Sequence, residues 1–277
     1  MWWMMMSGEE LVVTLAPVAV YWVYAGIYEA LLARTAVLDR YRLHSRRDEE
    51  TKNVASRKDV VKGVLLQQGI QVSISVAILK MKGHGAAAAD ATATNDDLAA
   101  AVAVAEPFLL VAAARFGVAM LVLDAWQYFT HRLMHSVPYM YRQFHSCHHR
   151  VAAPYAYAAQ YGHPVDGVLT ETMSGVAAYL ASGMPPRVAT AFFVFATVKG
   201  VDDHCGVAAP WNPFHVVFRN NTVYHDVHHQ RGGGRHNFSQ PFFVIWDRLL
   251  GTHASYVLRH RNDGGLEVKA FEDRRMR

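Results

Sequence analysis

Histidine is the residue type whose spacing in this chain first suggests chemistry. In the stretch Asp124–Arg150, DAWQYFTHRLMHSVPYMYRQFHSCHHR, five histidines fall close together: His131 and His135 as HxxxH, then His145, His148 and His149 as HxxHH. His225, His228 and His229 repeat the HxxHH pattern further on. On a helix, residues four apart share a face, so HxxxH aims two imidazoles at one point. In HxxHH the second and third histidines lie about 60° and 40° to either side of the first, at about 100° per residue, so all three rings can converge. The chain has 16 histidines. At that frequency a given HxxHH arises by accident on the order of 0.05 times. Two such boxes exceed what packing requires and point to a metal centre. Eight imidazoles are too many for one ion, since structural zinc takes four ligands and catalytic zinc three. Two ions fit better.

Imidazole suits Zn, Cu, Fe and Ni alike, so spacing does not name the metal. A zinc hydrolase is expected to carry its catalytic Glu in HExxH, and that motif is absent from the sequence. Many histidines with few carboxylates at a membrane surface fit a non-haem di-iron centre that activates oxygen. Such a centre can take hydrogen from an unactivated C–H bond, which no side chain does unaided.

The elements that must position these residues are apolar helices. The 277-residue chain is 52% hydrophobic, yet its mean hydropathy is only +0.05, as expected where apolar segments alternate with a charged, His-rich part. Leu11–Ala33 is long enough to cross a hydrocarbon core of about 30 Å, with Glu29 near its end. Arg34–Lys62 is dense in Arg and Lys, which puts this loop in the cytosol and the N-terminus in the lumen. Val60–Leu79 is a weaker span, interrupted by Gln67, Gln68 and Gln71. Met81–Asp97, Ala/Gly-rich, reads as a disordered luminal loop, with His84 a bystander. Leu98–Leu123 returns the chain to the cytosol and delivers Asp124 and the first box, with a kink or a late start at Glu106-Pro107. Val165–Ala181 and Val188–Val201, joined by SGMPPR, read as a hairpin that dips into the bilayer and returns. Every histidine motif then falls on the cytosolic face.

The expected fold is therefore all-α and integral to the membrane, with about four transmembrane or hairpin helices under a cytosolic His-rich cap holding two metals. The net charge of +4 and the pI near 9.0 fit basic membrane-flanking loops rather than a nucleic-acid footprint. Cys147 and Cys205 cannot build a disulfide framework and suit free thiols in a reducing compartment. The start MWWMMMSGEE carries no basic n-region, so no cleaved signal peptide is read there.

The strings DAWQYFTHRLMH, FHSCHHR, PYAYAAQYGHPVDG, VDDHCG, NNTVYHDVHHQ and NFSQPFFVIWDRLLGT resemble the fatty acid hydroxylase superfamily of membrane di-iron enzymes, and most of all its plant sphinganine (sphingoid-base) C-4 hydroxylases. The resemblance runs from about Asp124 to Thr252; residues 1–123 match only in hydropathy. It implies metal ligands at His131, His135, His145, His148, His149, His225, His228 and His229, with His204 (DHCG) and His163 (GHP) as further candidates. His215, near the third box, reads as a residue that supports a ligand or packs structurally, and His236, His253 and His260 as bystanders; the family usually has an aromatic residue in place of His253. The resemblance divides the chain into membrane anchor helices and loops (1–97), a catalytic domain (98–260) and a cytosolic tail (261–277). It implies an O2-dependent monooxygenase with two Fe ions per chain. Such an enzyme hydroxylates a sphingoid base or dihydroceramide at the endoplasmic reticulum membrane, drawing electrons from NAD(P)H through cytochrome b5 and its reductase. The sequence carries no haem-binding or GxGxxG signature, so a separate donor is needed. Sterol C-4 methyl oxidases, sterol desaturases and aldehyde decarbonylases share the boxes. A His-rich zinc-binding membrane protein is the non-enzyme rival, although a transporter would set its polar ligands within the spans.

Metal-bound imidazoles need their second ring nitrogen oriented, commonly by a carboxylate. Asp124, Asp203 and Asp226 are the first candidates, with Asp202 and Asp247 nearby. Tyr155, Tyr157 and Tyr161 suit either an acyl channel or the membrane interface. The terminal Arg274-Arg275 pair is compatible with retrieval to the endoplasmic reticulum.

Overall fold

The computed structural model describes residues 6–86, 98–230, 233–262 and 264–271. Its first element, α1 (Gly8–Arg34), starts at a reciprocal cap in which Ser7 accepts from the Glu10 N–H and the Glu10 carboxylate accepts from the Ser7 N–H. A short α2 (Arg46–Lys52) opens on the same device, Ser45 with Asp48. Then come α3 (Arg57–Ala86), α4 (Leu98–Ser136) and α5 (Pro138–Gln143). A 3₁₀ turn over His145–Arg150 follows. Further on, α6 (Pro164–Asp166) runs through a π-helical turn (Gly167–Thr172) into α7 (Met173–Ser182). The chain ends with α8 (Pro186–Asp203), α9 (Pro213–Val217), α10 (Thr222–His229), α11 (Ile245–Leu249) and a two-stranded hairpin, β1 (Ser255–His260) with β2 (Leu266–Phe271).

Among the described residues, three helices are long and apolar enough to cross a membrane: Gly8–Arg34, Arg57–Met81 and Leu109–Ser136. Their outward side chains are bulky and apolar, among them Val23 at 64% exposed, Leu66 at 55% and Leu110 at 73%. That is the surface a helix presents to lipid rather than to water. The inner faces pack α1 along α8 and α4 along α7. One core gathers Tyr21, Val60, Val64, Tyr155, Tyr161 and Val201; another gathers Val13, Leu79, Leu123, Tyr179 and Phe192.

The α7–α8 turn forms where SGMPPR placed it. Gly183 takes the left-handed φ of 61° that ends α7, and Pro186 opens α8 at a position where no N–H is required. The apolar run from Val165 is not one helix, because the π-turn interrupts it. The α7 helix itself has 10 residues, about 15 Å at 1.5 Å per residue, too short to span a bilayer.

Two expectations need correction. The fold is mostly helical rather than all-α, because β1 and β2 pair antiparallel from Ser255↔Phe271 to His260↔Leu266. The cause lies in the residues: SYVLRH and LEVKAF are rich in β-branched and aromatic side chains, and between them Gly264 and Gly265 take positive φ. Helix α3 also continues to Ala86, so the Ala/Gly-rich stretch does not begin its loop at Met81. Helix α4 passes Glu106-Pro107 without a break. Residues 87–97, the His84 side chain and Arg274-Arg275 lie outside what is described. Cys147 and Cys205 are both free thiols.

The basic connection between α1 and α3 is tied to the histidine-bearing loops. The Leu43 N–H donates to the Gly206 carbonyl (2.9 Å), the Ala208 N–H to Tyr41 (2.9 Å) and the Val54 N–H to Arg150 (2.8 Å). His44 Nε2 meets the Asp226 carboxylate on α10. That connection and the histidine motifs therefore occupy the same end of the bundle.

The segment after α10 is held by Asp247, which is fully buried. Its carboxylate accepts from the Phe238 and Ser239 N–H groups (2.9 and 2.7 Å), from Tyr224 Oη (2.7 Å) and from Thr252 Oγ1 (2.6 Å). Replacing it with alanine orphans all four donors at once. Asp247→Ala should therefore lower unfolding stability in detergent by on the order of 3 kcal/mol. A chemical-denaturation midpoint shifted by less than about 0.5 kcal/mol, the range of an ordinary surface change, would contradict this reading of the core.

Candidate metal centre

The α4 helix continues past its apolar section to Ser136, so its final turns carry His131 and His135 on one face. The 3₁₀ turn brings His145, His148 and His149, and the Asp203–His204 junction closes α8. Helix α10 brings His225, His228 and His229. It is capped by Asn221, whose side chain accepts from the Val223 and Tyr224 N–H groups (3.0 and 3.2 Å), and all eight of its residues are buried.

Nine rings converge into two adjoining groups. His131, His135, His145, His149 and His228 form the first; His148, His204, His225 and His229 form the second. Within each group the ligand atoms lie within 4.8 Å of one another, and the groups abut where the His149 and His229 ring centroids are 4.8 Å apart. Each HxxHH box is divided between them, which corrects the expectation that its three rings converge. Residues four apart (145 and 149, 225 and 229) stay together, and the middle histidine crosses to the other group. In α10 the i+3 ring falls on the opposite side of the first ring from the i+4 ring. In the 3₁₀ turn over His145–Arg150 the split follows the partners of each ring, Asp166 for His145 and the Tyr161 carbonyl for His148.

The tautomers follow from the hydrogen bonds. A backbone carbonyl only accepts, so a ring nitrogen bonded to one must carry the proton. The Nδ1–H groups of His131, His148, His204, His228 and His229 donate to the carbonyls of Phe238 (2.9 Å), Tyr161 (2.8 Å), Gly200 (2.8 Å), His236 (2.8 Å) and Val151 (3.1 Å). His145 Nδ1 donates to the Asp166 carboxylate (2.8 Å). Each of these rings presents a bare Nε2 lone pair inward. The Nε2 atoms then face one another: His135 to His149 at 3.1 Å, His149 to His228 at 3.2 Å, His204 to His225 at 2.9 Å and His225 to His229 at 3.0 Å. His145 Nε2 is buried with no hydrogen-bond partner at all. No carbonyl or carboxylate fixes the tautomer of His135, His149 or His225, so His149 and His225 can bridge these contacts as Nε2–H donors, while His145 Nε2 stays unmet. Buried neutral imidazole nitrogens gathered in this way are a donor set that fits a transition metal in each group.

The rings are not protonated. Burial holds the imidazoles neutral, pushing His148 down to about 4 and His204 and His228 down to about 3, aided by their histidine neighbours. His149, His225 and His229 are lowered for the same two causes. Neutral imidazole is the form that binds a metal.

His163 lies outside both groups; its Nδ1 accepts from the Val165 N–H at 3.2 Å, and its ring rests against Phe144. His215 pairs with Asp202 (3.1 Å) in a separate buried set with Cys205. The His253 ring packs on Tyr224, and His236 contributes its carbonyl rather than its ring. Asp124 accepts from the Phe242 and Phe243 N–H groups (2.8 and 3.2 Å), Asp203 pairs with Lys199, and Asp226 meets His44 and Gln230. Asp202 takes Tyr24, Tyr28 and Asn212. Among the described residues, the carboxylate bonded to a ring of either group is Asp166, which the sequence reading missed. It sits in the quoted GHPVDG string, but it is 21 positions from His145, and no spacing rule links the two.

Two adjoining cavities reach the centre. The larger one runs between α1, α3, α4, α7 and α8 and ends at His204 and His225; the smaller is lined by His131, His145, His148 and His204. Ala159, Gln160, Glu171, His204 and Gln240 line both. From Phe193 to His204 along α8 the larger cavity extends about 16 Å. Of the three tyrosines considered for an acyl channel, none lines it; Tyr161 lines the smaller cavity.

The Fatty acid hydroxylase family model matches residues 116–252. The chain is similar to sphinganine C4-monooxygenase 1 of Arabidopsis thaliana, at 49% identity over 96% of this chain and 97% of that protein. It is also similar to a very-long-chain aldehyde decarbonylase of Oryza sativa subsp. indica, at 47% identity over 96% and 97%. A sphingolipid C4-hydroxylase of Schizosaccharomyces pombe is 36% identical over 86% of each chain. No solved structure matches the chain significantly.

The depressed histidines make the metal-free protein acid-sensitive. Free imidazole titrates near 6.5, whereas folded His148 stays neutral down to about 4. Between those values the unfolded chain binds protons that the folded one refuses, so stability is complete above about pH 7 and falls as pH drops through that window. The thermal midpoint of metal-stripped protein in detergent should be lower at pH 5 than at pH 7.5; equal midpoints would contradict the buried, neutral assignment.

Proposed function

The chain belongs to the fatty acid hydroxylase family, and on that premise we propose that it is a monooxygenase acting at C-4 of a long-chain sphingoid base or dihydroceramide, in sphingolipid biosynthesis. The product is of the phytosphingosine type. One atom of O2 enters the C–H bond as hydroxyl, and the other leaves as water with two electrons and two protons. The observation that carries this reading is the cavity that runs from the membrane helices to the paired histidine groups. It admits an alkyl chain from one end and offers the metal-binding nitrogens at the other.

Nine histidines would hold two irons: His131, His135, His145, His149 and His228 one, and His148, His204, His225 and His229 the other. The irons supply activation of O2 toward an unactivated C–H bond. The chain's own residues do the rest. Asp166 and the backbone carbonyls fix which nitrogen each ring presents. The apolar walls from Val13, Leu79 and Phe193 hold the alkyl tail and exclude water from the reacting carbon. Electrons come from a separate donor, of which cytochrome b5 with an NAD(P)H-dependent reductase is the type the family uses.

In this reading the three long helices and the α7–α8 hairpin sit in the endoplasmic reticulum membrane, and the histidine end forms a cytosolic cap. The support is the basic α1–α3 connection, which is bonded to the histidine loops and belongs on the positive-inside face. An aldehyde decarbonylase is the second reading, favoured by the rice relative. The near-full-length likeness to C-4 enzymes from two further organisms supports hydroxylation.

Expression in a yeast lacking its own sphingoid C-4 hydroxylase should restore trihydroxy bases, and His148→Ala should abolish them while the protein remains membrane-inserted. Alkanes in place of trihydroxy bases would favour the second reading, and full activity of His148→Ala would refute the site. A glycosylation tag inserted at residues 87–97 should be modified and one at the C-terminus should not; the reverse pattern would overturn the orientation.

A further inference from the structure

One ionisable group beside the centre is unused by the metal sites and by the fold. Glu171 lies in the π-helical turn, half-buried, at the junction of the two cavities. Its carboxylate takes no hydrogen bond or ion pair among the described residues. The other carboxylates lining these cavities are occupied: Asp166 by His145 and Thr170, and Asp203 by Lys199. Glu171 is also outside both metal-binding groups, so it is not within ligand reach of them. No Lys or Arg lines either cavity.

The π-turn is what brings it there. In an α-helix residues five apart point about 140° away from each other; the wider π-turn narrows that angle. Asp166 and Glu171 therefore both reach the smaller cavity, the first bonded to His145 and the second free. A carboxylate withdrawn from water into a cavity without a partner is unfavourable until a cation meets it.

We propose that Glu171 anchors a protonated primary amine on the substrate, which makes the enzyme selective for a free long-chain base over its N-acylated form. The inference rests on the hydroxylase reading above and names its substrate class. In such a base the ammonium is carried on C-2, two carbons from C-4. Holding it at the junction brings C-4 beside His145, His148 and His204, with the alkyl tail in the larger cavity. Gln160 and Gln240 share that junction. Gln160, whose Oε1 accepts from Gln68 Nε2 (2.9 Å), offers its amide N–H, and Gln240 offers its amide to the C-1 and C-3 hydroxyls. N-acylation removes the positive charge and leaves the carboxylate unpaired, a penalty that discriminates against the amide.

The test uses metal-loaded full-length protein in lipid nanodiscs, with octadecylamine and octadecanol as probes and metal content as the check on folding. The wild type should bind the amine at least about tenfold more tightly than the alcohol, equivalent to about 1.4 kcal/mol. Glu171→Gln should reduce that ratio to about one, while Glu171→Asp retains a preference. With substrates, Glu171→Gln should raise KM about tenfold for sphinganine and leave KM for N-acetylsphinganine unchanged. Equal binding of amine and alcohol by the wild type, or an undiminished preference in Glu171→Gln, overturns the anchor. Amine preference without any C-4 hydroxylated product would uphold the anchor and sink the hydroxylase reading instead.

Discussion

The structure depends on holding neutral imidazoles with their metal-binding nitrogens turned inward. Six imidazoles have one nitrogen committed to a carbonyl or carboxylate, and their bare Nε2 atoms are turned into two small buried spaces. Burial disfavours protonating them, and His149 and His225 can donate to some of them but not to His145, whose Nε2 has no partner. A metal ion in each group meets the inward nitrogens together, which neutral imidazoles do only in part by bonding to one another. A buried polar network of this kind has to be satisfied in full or it is destabilising.

The rest of the chain is arranged to hold those rings where lipid and protein meet. The histidines of α4 are continuous with a helix whose flank carries exposed leucines, so the first group is fixed relative to the apolar span. Helix α10 is buried on every side, and Asp247 fixes the segment whose Phe238 and His236 carbonyls orient His131 and His228. Lys199, fully buried on α8, pairs with Asp203 and reaches the Asn220 carbonyl, tying the end of α8 to the approach to α10. The orienting groups are thus mostly main-chain carbonyls. Their positions are set by how loops pack, which makes the centre a property of the whole bundle.

Much of this was legible in the residues, for reasons that also explain what was not. HxxxH and HxxHH report helical geometry directly, and the apolar runs report span length, so the histidines and three long helices were readable. The division of each HxxHH box between two groups was not, because ring direction at i+3 depends on what packs opposite. Carboxylate orienters were sought near the boxes in sequence, at Asp124, Asp203 and Asp226. Each proved to have other partners in backbone N–H groups, Lys199 or His44, while Asp166 reached His145 through tertiary packing. The π-turn that presents Glu171 leaves no pattern in hydropathy, and the terminal hairpin was hidden by its charged residues, which read as tail.

The most direct measurement is the transition-metal content of purified, catalytically active protein, combined with X-ray absorption at the metal edge. The account predicts two ions per chain in a shell of light nitrogen or oxygen donors dominated by imidazole, with no sulfur from Cys147 or Cys205. Active protein with no bound metal, a single ion, or a sulfur-containing shell would contradict it.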